Sequence, residues 1–342
     1  MGQLKVGYWA GQEQYDPNTL INYAKLAEVV GFDIVITSDH FHPWRDSNAF
    51  NFSPHSGFPW IWLAAAASKT NVSELGTAVT TPGYRYHPAI VAQAFATLDY
   101  LYPGRISITV GAGHRMNETP LGYNWPNFQE KVDRLKESIL IIKELWKGKY
   151  VNFNGEYFTI KQAKLYTIPK KNIPLYIATS NSKVAAIAGE LCDGILTNPR
   201  GLDKYVNLIN SMKSSAKKVG RNPEKLDISL EFKVSYDLDY DTAFKSATYW
   251  APAAIPRDKR DLISTPKELE KNITDSEIEK IRTSWLITSD VDEIIKKIGE
   301  FLKMGFNRVY IHSASPDEKK FLRMLGRDIL PWMREIYDDV AP

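Results

Sequence analysis

Length, composition and charge place this chain among ordinary globular proteins and exclude several classes of function. It has 342 residues, of which 44% are hydrophobic and 24% charged, and 43 Lys and Arg against 40 Asp and Glu give a net charge of +3. Because the two signs are interspersed, the charge pattern does not indicate a nucleic-acid-binding surface. The single cysteine, Cys192, excludes a disulfide framework and a thiolate metal site within one chain.

Strand-like and helix-like segments alternate along almost the whole chain. Apolar, β-branched runs predict eight strands, over residues 4–10, 33–38, 74–79, 105–110, 174–178, 194–197, 227–236 and 308–312. Amphipathic segments predict helices over residues 17–30, 60–70, 88–101, 128–147, 183–191, 202–219, 291–304 and 317–338. Eight such units in a chain of this length predict an α/β fold, a (β/α)8 TIM barrel, rather than a doubly wound sheet.

The predicted barrel carries several segments longer than ordinary connections. We place insertions at about 38–58, 112–125, 148–172 and 237–288. Within the third, residues 150–159 indicate a hairpin in which Asn154-Gly155 supplies a tight turn. No linker or repeat divides the chain, so we expect residues 1–342 to form one barrel domain. The chain enters its first strand without a targeting segment, and no apolar run approaches a membrane span, so we expect a cytoplasmic protein without a membrane partner.

One stretch, Ser38-Asp-His-Phe-His-Pro-Trp44, directly follows the second predicted strand. In α/β barrels, residues just past the C-terminal ends of the strands do the chemistry. An imidazole titrates near pH 6.5, so His40 is a competent base near neutral pH. Asp39 is adjacent to His40, but neighbours on a strand face opposite ways, so Asp39 need not orient it. The alternative interpretation of the stretch is a helix cap followed by core aromatics.

Polar and small residues also follow the other predicted strands, and a barrel would bring these strand ends to one face. They are Glu13; Ala78, Val79 and Thr81; Gly111, Gly113, His114 and Asn117; Thr179 to Lys183; and Thr197 and Arg200. Such a set suits a polar substrate beside a planar cofactor. His40 and His42 alone fall short of a metal ligand set, so no metal is predicted.

Seven segments of the chain match the pattern of one known family. They are Leu4-Lys-Val-Gly-Tyr8, Ser38-Asp-His-Phe-His-Pro-Trp-Arg45, 85–97, Leu101-Tyr-Pro-Gly-Arg105, Asn117-Glu118, Phe153-Asn-Gly-Glu-Tyr157 and Tyr249-Trp-Ala-Pro252. Through them the chain resembles the coenzyme F420-dependent glucose-6-phosphate dehydrogenases of the bacterial luciferase-like superfamily, over nearly its whole length. The resemblance implies a luciferase-like barrel, a homodimer and the cofactor F420, a 5-deazaflavin that exchanges hydride.

The resemblance also implies roles for particular residues. The residue matching His40 handles the proton of the substrate hydroxyl, Trp44 helps to fix the developing carbonyl or lactone oxygen, and Glu13 matches a carboxylate beside the site. Ala78-Val79 matches a non-prolyl cis peptide bond. The positions that match cofactor contacts are Asp39, Ala78, Val79, Thr81, Ala112, Gly113 and Asn117 near the ring, and Ser180, Asn181, Lys183 and Val184 at the phosphate. The last group leads into a predicted helix, whose N-terminus suits an anion.

The chain departs from this family at two places. His114 stands where the family has the glutamate proposed as acid–base partner of the histidine. In this chain His114 either transfers a proton or only binds the substrate. At the substrate phosphate, Arg200 and Arg260 take the positions of two lysines, and the family arginine falls on Ser284, with Arg282 two residues earlier. We also assign Thr197 to the substrate. The alternative for Arg260 is membership of a solvated surface run with Arg257 and Lys259.

These observations predict a particular reaction. A sugar phosphate, with glucose 6-phosphate the leading candidate, would lose hydride from its anomeric carbon to the deazaflavin and its hydroxyl proton to His40, giving a lactone. The alternatives are an F420-dependent dehydrogenase of another, secondary alcohol, a flavin-dependent luciferase-like monooxygenase, and a non-catalytic protein that binds the cofactor.

Overall fold

The structure is a computed structural model that describes residues 3–71, 73–198 and 202–340. In chain order, the described strands are β1 (Lys5–Ala10), β2 (Ile34–Thr37), β3 (Glu74–Thr80), β4 (Ile106–Val110), β5 (Val151–Asn154), β6 (Thr159–Ala163), β7 (Leu175–Ala178), β8 (Gly194–Thr197), β9 (Asp227–Tyr236), β10 (Leu286–Thr288) and β11 (Arg308–Ser313).

The described α-helices alternate with these strands. They are α1 (Pro17–Val30), α2 (Pro59–Ala67), α3 (Pro88–Leu101), α4 (Arg115–Glu118), α5 (Phe128–Trp146), α6 (Ser182–Leu191), α7 (Leu202–Lys218), α8 (Tyr240–Ala247), α9 (Arg257–Arg260), α10 (Pro266–Lys271), α11 (Asp275–Ser284), α12 (Val291–Lys303), α13 (Glu318–Met324) and α14 (Leu330–Val340). None of the helices in this part of the chain combines the length and apolarity needed to span a membrane.

Backbone contacts divide the chain into two compact units. The first contains residues 1–73, 197–200 and 227–342, and the second contains residues 74–196 and 201–226. In the first unit, the strands run parallel in the order β10–β9–β11–β1–β2. In the second, β3, β4, β7 and β8 are parallel neighbours in that order, and β5 pairs with β6 as an antiparallel hairpin. The organisation into a single domain stays a prediction.

The eight strands other than β5, β6 and β10 are parallel and alternate with helices along the chain. This is a (β/α)8 TIM barrel, and the predicted fold class is confirmed. The strands are built from apolar and β-branched residues whose side chains are buried, as in Ile34–Thr37, because parallel strands are covered on both faces. Several helices begin where the sequence provides a cap: Asp16 accepts hydrogen bonds from the first turn of α1, and Asp290 caps α12.

The hairpin in the third insertion forms, but with a longer loop than the tight turn predicted at Asn154-Gly155. Asn154 ends β5, and residues 155–158 connect it to β6. The carboxylate of Glu137 on α5 accepts hydrogen bonds from the backbone N–H groups of Glu156, Tyr157 and Phe158. A side chain distant in sequence therefore shapes this loop, which turn propensity alone does not predict.

The last predicted helix, over residues 317–338, is interrupted. Between α13 and α14, residues Leu325–Ile329 form a π-helical turn. Pro331 lacks the N–H that would continue the α-helical pattern toward residue 327. Gly326 packs directly on α1, since a Cβ there would lie 2.5 Å from Val30 Cβ. The interruption therefore coincides with a close approach to α1 and with a proline.

Candidate active site

In the first unit, Glu13 and His40 meet at the C-terminal ends of the neighbouring strands β1 and β2. His40 Nε2 lies 3.5 Å from Glu13 Oε1, and the His40 side chain is 19% exposed while that of Glu13 is 1% exposed. The second carboxylate oxygen of Glu13 accepts a hydrogen bond of 2.6 Å from the Ser38 hydroxyl. Both oxygens of Glu13 are therefore engaged, one with the imidazole and one with the hydroxyl.

The electrostatic state of Glu13 is set by opposing effects. Burial raises its pKa above the ordinary value, and this is the largest effect. The Ser38 hydrogen bond and the charge of His312 lower the pKa, while the nearby charge of Glu231 raises it. The neighbours thus offset part of the cost of keeping a buried carboxylate ionised beside the His40 ring.

The loop that carries Glu13 is fixed through its backbone and its neighbours. Gln12 N donates to the Ser38 hydroxyl at 3.0 Å, and Gln12 Nε2 donates to Thr37 Oγ1 at 2.9 Å. The Tyr249 hydroxyl, from the insertion at 237–288, donates to the backbone carbonyl of Glu13. Such contacts preorganise the carboxylate, because the chain on both sides of it cannot move independently.

Trp44 stands next to His40, and Arg260 lies against Trp44. The rings of His40 and Trp44 are in edge contact, with centroids 5.4 Å apart, and Trp44 is buried. The Arg260 guanidinium lies 5.4 Å from the centroid of the Trp44 ring, and its Nη1 donates to the Ala253 carbonyl at 2.8 Å. Its Nε is buried and has no hydrogen-bond partner among the described residues. Burial lowers the pKa of Arg260, so its environment differs from that of the exposed Arg257.

Other residues assigned to substrate or cofactor in the first unit are placed as follows. Asp39 is buried directly after β2. Thr197 ends β8 and is buried, and its hydroxyl has no hydrogen-bond partner among the described residues. Arg282 is exposed on α11, where it pairs with Glu279, donates to the Tyr240 hydroxyl at 2.9 Å and covers the Phe244 ring.

Ser284 and Arg200 complete that set of candidate substrate residues. The exposed Ser284 donates its hydroxyl to the Lys280 carbonyl of its own helix at 2.8 Å. Arg200 lies outside the described residues. The contacts of Arg282 and Ser284 are thus local to α11 and α8, whereas Arg260 lies against Trp44.

Arg45 joins the insertion at 38–58 to the insertion at 237–288. Its Nε donates to the Tyr249 carbonyl at 2.7 Å and its Nη2 to the Thr248 carbonyl at 3.0 Å, and its Nη1 lies 3.4 Å from Glu270 Oε1. Ser47 Oγ donates to the same Glu270 oxygen at 2.6 Å. The segments 38–58 and 237–288, which are far apart in sequence, are therefore linked by a mostly buried ion pair and its hydrogen bonds.

In the second unit, the residues assigned to the cofactor ring lie together. The peptide bond between Ala78 and Val79 is cis. A Cβ on Gly111 would lie 2.6 Å from Val79 Cγ1, and one on Gly113 would lie 3.1 Å from Thr81 Cγ2. Gly113 also has φ of +94°, a conformation that favours glycine. The segment 111–113, with Ala112 at its centre, therefore presents backbone rather than long side chains.

His114, Asn117 and Glu118 follow this glycine segment. His114 caps α4, and its Nδ1 accepts a hydrogen bond from Met116 N at 3.3 Å, so the ring proton of the neutral form is on Nε2. Asn117 and Glu118 are buried. Burial raises the pKa of Glu118, and the charges of Arg134, Arg85 and Lys131 lower it.

The segment assigned to the cofactor phosphate forms the N-terminus of α6. Asn181 is the N-cap, and its Oδ1 accepts hydrogen bonds from Lys183 N at 2.9 Å and Val184 N at 3.4 Å. Ser180, Asn181 and Lys183 are exposed, whereas Val184 is buried. An exposed helix N-terminus with a lysine suits a phosphate group, which would share these N–H groups with the Asn181 side chain.

No group of three or more His, Cys, Asp or Glu side chains is arranged to hold a metal ion in residues 3–71, 73–198 and 202–340.

Sequence reasoning missed other residues that support this site: Tyr249, Arg45, Glu231 and His312. Two signals could have indicated them. Tyr249 lies in one of the segments shared with the related family, and His312 ends the last predicted strand.

The sequence profile of the luciferase-like monooxygenase family matches residues 3–308. The chain is 39% identical over 340 residues to the F420-dependent glucose-6-phosphate dehydrogenases of Mycolicibacterium gilvum and Mycolicibacterium smegmatis, covering 98% of this chain and 100% of each relative. The chain therefore belongs to the luciferase-like family and, within it, to the family of F420-dependent glucose-6-phosphate dehydrogenases.

Solved structures extend the comparison. An F420-dependent secondary alcohol dehydrogenase, in complex with an F420–acetone adduct, is 34% identical with a TM-score of 0.90, over 97% of this chain and 99% of that one. The F420-dependent tetrahydromethanopterin reductase of Methanopyrus kandleri is 24% identical with a TM-score of 0.77, over 96% and 99% of the two chains, a similarity of fold alone.

Proposed function

We propose that this protein is an F420-dependent dehydrogenase that oxidises a CH–OH group, with a sugar phosphate as substrate and glucose 6-phosphate as the leading candidate. The observation that carries the proposal is the approach of His40 Nε2 to Glu13 Oε1 at 3.5 Å, with Ser38 holding the other carboxylate oxygen. This pair occurs in a chain 39% identical to F420-dependent glucose-6-phosphate dehydrogenases over nearly its whole length.

The residues assigned to the cofactor fit a deazaflavin with a phosphate-bearing tail. A Cβ on Gly111 would meet Val79 and one on Gly113 would meet Glu118, so segment 111–113 presents backbone, half-buried at Ala112 and Gly113, to a flat ring. Ser180, Asn181 and Lys183 at the start of α6 offer N–H groups and a cation to the phosphate. When bound, F420 supplies a ring carbon that accepts hydride.

The chain's own residues manage the proton. The hydroxyl of the substrate gives its proton to the His40 imidazole while the C–H bond breaks and the carbon–oxygen double bond forms. The hydride and its electron pair leave the substrate at that step. Glu13 stabilises the imidazolium that results, because its carboxylate is held beside the ring by Ser38 and the fixed loop. For an anomeric carbon the product is a lactone.

Arg260 is the residue through which we assign a phosphate group to the substrate. It lies against Trp44, it is largely removed from solvent, and its Nε has no partner among the described residues. A guanidinium binds phosphate through planar, paired contacts. His114, Thr197, Arg200, Arg282 and Ser284 keep their predicted roles as proposals.

A secondary alcohol is the second candidate substrate. It is supported by the 34% identity and TM-score of 0.90 to an F420-dependent secondary alcohol dehydrogenase. The contacts of Arg282 and Ser284 within α11 and α8 also favour a secondary alcohol. With Arg282 engaged in those contacts, fewer cations remain to bind a substrate phosphate. An alcohol without a phosphate would need no such clamp.

We also propose a homodimer and a cytoplasmic location. Val29 on α1 and Ile61 on α2 are 82% and 72% exposed, which supports burial of this helical surface against a second copy. The only cysteine, Cys192, is buried and unbridged, as is common in a reducing compartment. Light scattering during size-exclusion chromatography should give twice the mass of one chain, and a single-chain mass would contradict the dimer.

The deciding experiment follows the absorbance band of oxidised F420 on addition of glucose 6-phosphate, glucose or isopropanol. Bleaching with the phosphate alone would support the leading proposal. Bleaching with isopropanol alone would identify the second candidate. Loss of bleaching in His40→Ala, with F420 still bound, is expected in either case, and retained activity would overturn the mechanism.

The Arg260→Ala variant further distinguishes between the two candidate substrates. We expect it to raise the KM for glucose 6-phosphate at least about tenfold and to change kcat less, because it removes a charged contact. Arg257→Ala is the matched control, since Arg257 is exposed on the same short helix. An unchanged KM in Arg260→Ala would remove this residue from the phosphate site.

A further inference from the structure

His312 near the end of β11 is enclosed by three tryptophans in the first unit. Its ring stacks on Trp9, with centroids 5.1 Å apart and an angle of 8° between the planes. Trp250 meets it edge-on at 4.7 Å, and Trp285 lies 5.1 Å away at 63°. His312 is only 3% exposed. Three indoles therefore hold the orientation of this ring.

Two charged groups on the neighbouring strand β9 face this ring. Glu231 Oε1 lies 2.8 Å from His312 Nδ1, and Lys233 Nζ lies 3.4 Å from the same carboxylate oxygen. An ionised carboxylate only accepts hydrogen bonds, so Nδ1 carries the hydrogen. Nε2 is buried, and no described residue forms a hydrogen bond with it.

The His312 ring is also in contact with the support of Glu13. A Cβ built on Gly11 would lie 3.6 Å from His312 Nε2, so the ring lies beside the loop that leads from β1 to Glu13. Trp250, which packs on His312, follows Tyr249, and the Tyr249 hydroxyl donates to the Glu13 carbonyl. The charges of His312 and Glu231 also act on Glu13, in opposite directions.

We propose that His312, held by Glu231, is a positioning residue for the Glu13–His40 pair. The charged groups that face His312 in the described residues are Glu231 and Lys233 on β9 and Glu13 after β1. The ring acts on the pair through its contact with Trp250, which neighbours Tyr249, and through its position beside Gly11. This inference deepens the proposed function, so its tests must also be readable without turnover.

The first test needs neither cofactor nor substrate. The His312 ring contacts three indoles, so we expect His312→Asn to change the tryptophan emission spectrum. His40→Asn serves as the control, because His40 contacts Trp44. A spectrum unchanged in His312→Asn would overturn the packing on which the positioning role depends.

The second test reads the Glu13–His40 pair directly. The chain has six histidines, so single substitutions can assign the ring proton signals of His40 and His312 in NMR spectra. We expect His312→Phe to shift the titration midpoint of the His40 signal. His312→Asn should shift it less, because an asparagine amide can still donate to Glu231. A His40 midpoint that is the same in wild type, His312→Phe and His312→Asn would overturn the positioning role.

Kinetics then connects the inference to the reaction. We expect His312→Phe to lower kcat about tenfold with little change in KM, since small misplacements of catalytic groups are costly. His312→Asn should restore most of kcat, because the asparagine amide can still donate to Glu231. If wild type turns over none of the substrates, the proposed function fails while the fluorescence and NMR tests still decide the role of His312. If His312→Phe does not fold, His312→Asn and Glu231→Gln carry the same comparison.

Discussion

Two buried carboxylates in the same unit have contrasting surroundings. Glu13 follows β1 and Glu318 begins α13, and they are 1% and 3% exposed. Burial raises the pKa of both. For Glu318 burial raises the pKa to about 7. The hydrogen bonds from the hydroxyls of Ser313 and Tyr8 lower this pKa, and the charge of Asp317 raises it. Glu13 faces the His40 ring at 3.5 Å and is also stabilised by Ser38 and His312.

The comparison shows that desolvation alone does not make a carboxylate catalytic. Burial disfavours the charged form of both carboxylates, but of the two only Glu13 has imidazole neighbours that its negative charge stabilises when they are protonated. Glu318 instead becomes a carboxyl group that takes up a proton near neutral pH. Glu13 should therefore matter for turnover and Glu318 for stability, and three substitutions test that division.

Glu13→Gln should have the largest effect. The amide keeps the shape but cannot stabilise an imidazolium at His40, so we expect kcat to fall about a thousandfold. Binding of F420 should be unchanged, and both quantities can be measured by stopped-flow absorbance and by fluorescence titration. Glu318→Gln is the matched control, with activity expected within about threefold of wild type. Equal losses in the two variants would remove the distinction between the two carboxylates.

Glu318→Gln should change the pH dependence of stability. Its pKa is about 7 in the folded protein against an ordinary value of 4.5, so the folded state holds this proton more tightly. The stabilisation is present below about pH 4.5 and is lost as the pH rises through about 7. We therefore expect the variant to gain roughly 3 kcal/mol of unfolding free energy relative to wild type between pH 4.5 and pH 9.

Urea unfolding at the two pH values measures this gain. Glu279→Gln is the control, since the Glu279 side chain is 63% exposed on α11. A variant whose stability follows wild type at both pH values would show that Glu318 is not protonated near neutral pH.

Ser38→Ala should have the smallest effect of the three. It removes the 2.6 Å hydrogen bond that lowers the pKa of Glu13, so that pKa should rise further. Because the ionised form is the active one, the acid limb of the kcat/KM profile should move to higher pH. At pH 7 we expect a loss of about fivefold, the effect of one hydrogen bond. Ser68→Ala, at an exposed residue whose hydroxyl donates to the Ala65 carbonyl, should leave the profile in place.

The sequence was sufficient for the fold class and the family, because strand and helix periodicity extends over most of the chain and the Ser38–Trp44 motif is continuous. His40, Trp44 and Asp39 could be selected since they follow one strand. The single-domain organisation and the individual roles of the site residues stay predictions.

The supporting contacts could not be predicted in the same way. Glu231 and His312 are 81 residues apart, and Tyr249 and Glu13 are 236 apart, so no local pattern joins them. The four-residue hairpin loop is bound by Glu137 of α5, and the π-turn before α14 coincides with a close approach to α1 as well as with Pro331. Tertiary contacts such as these cannot be read from a single stretch of sequence.

The Arg45 connection has a consequence for altering this enzyme. Arg45 holds the carbonyls of Thr248 and Tyr249 and pairs with Glu270, which Ser47 also contacts. A chimaera that takes residues 38–58 from a relative with another substrate, but keeps residues 237–288, would separate residues that contact each other here. Such exchanges should succeed when both segments are transferred as a pair, and the two segments are expected to diversify jointly among relatives.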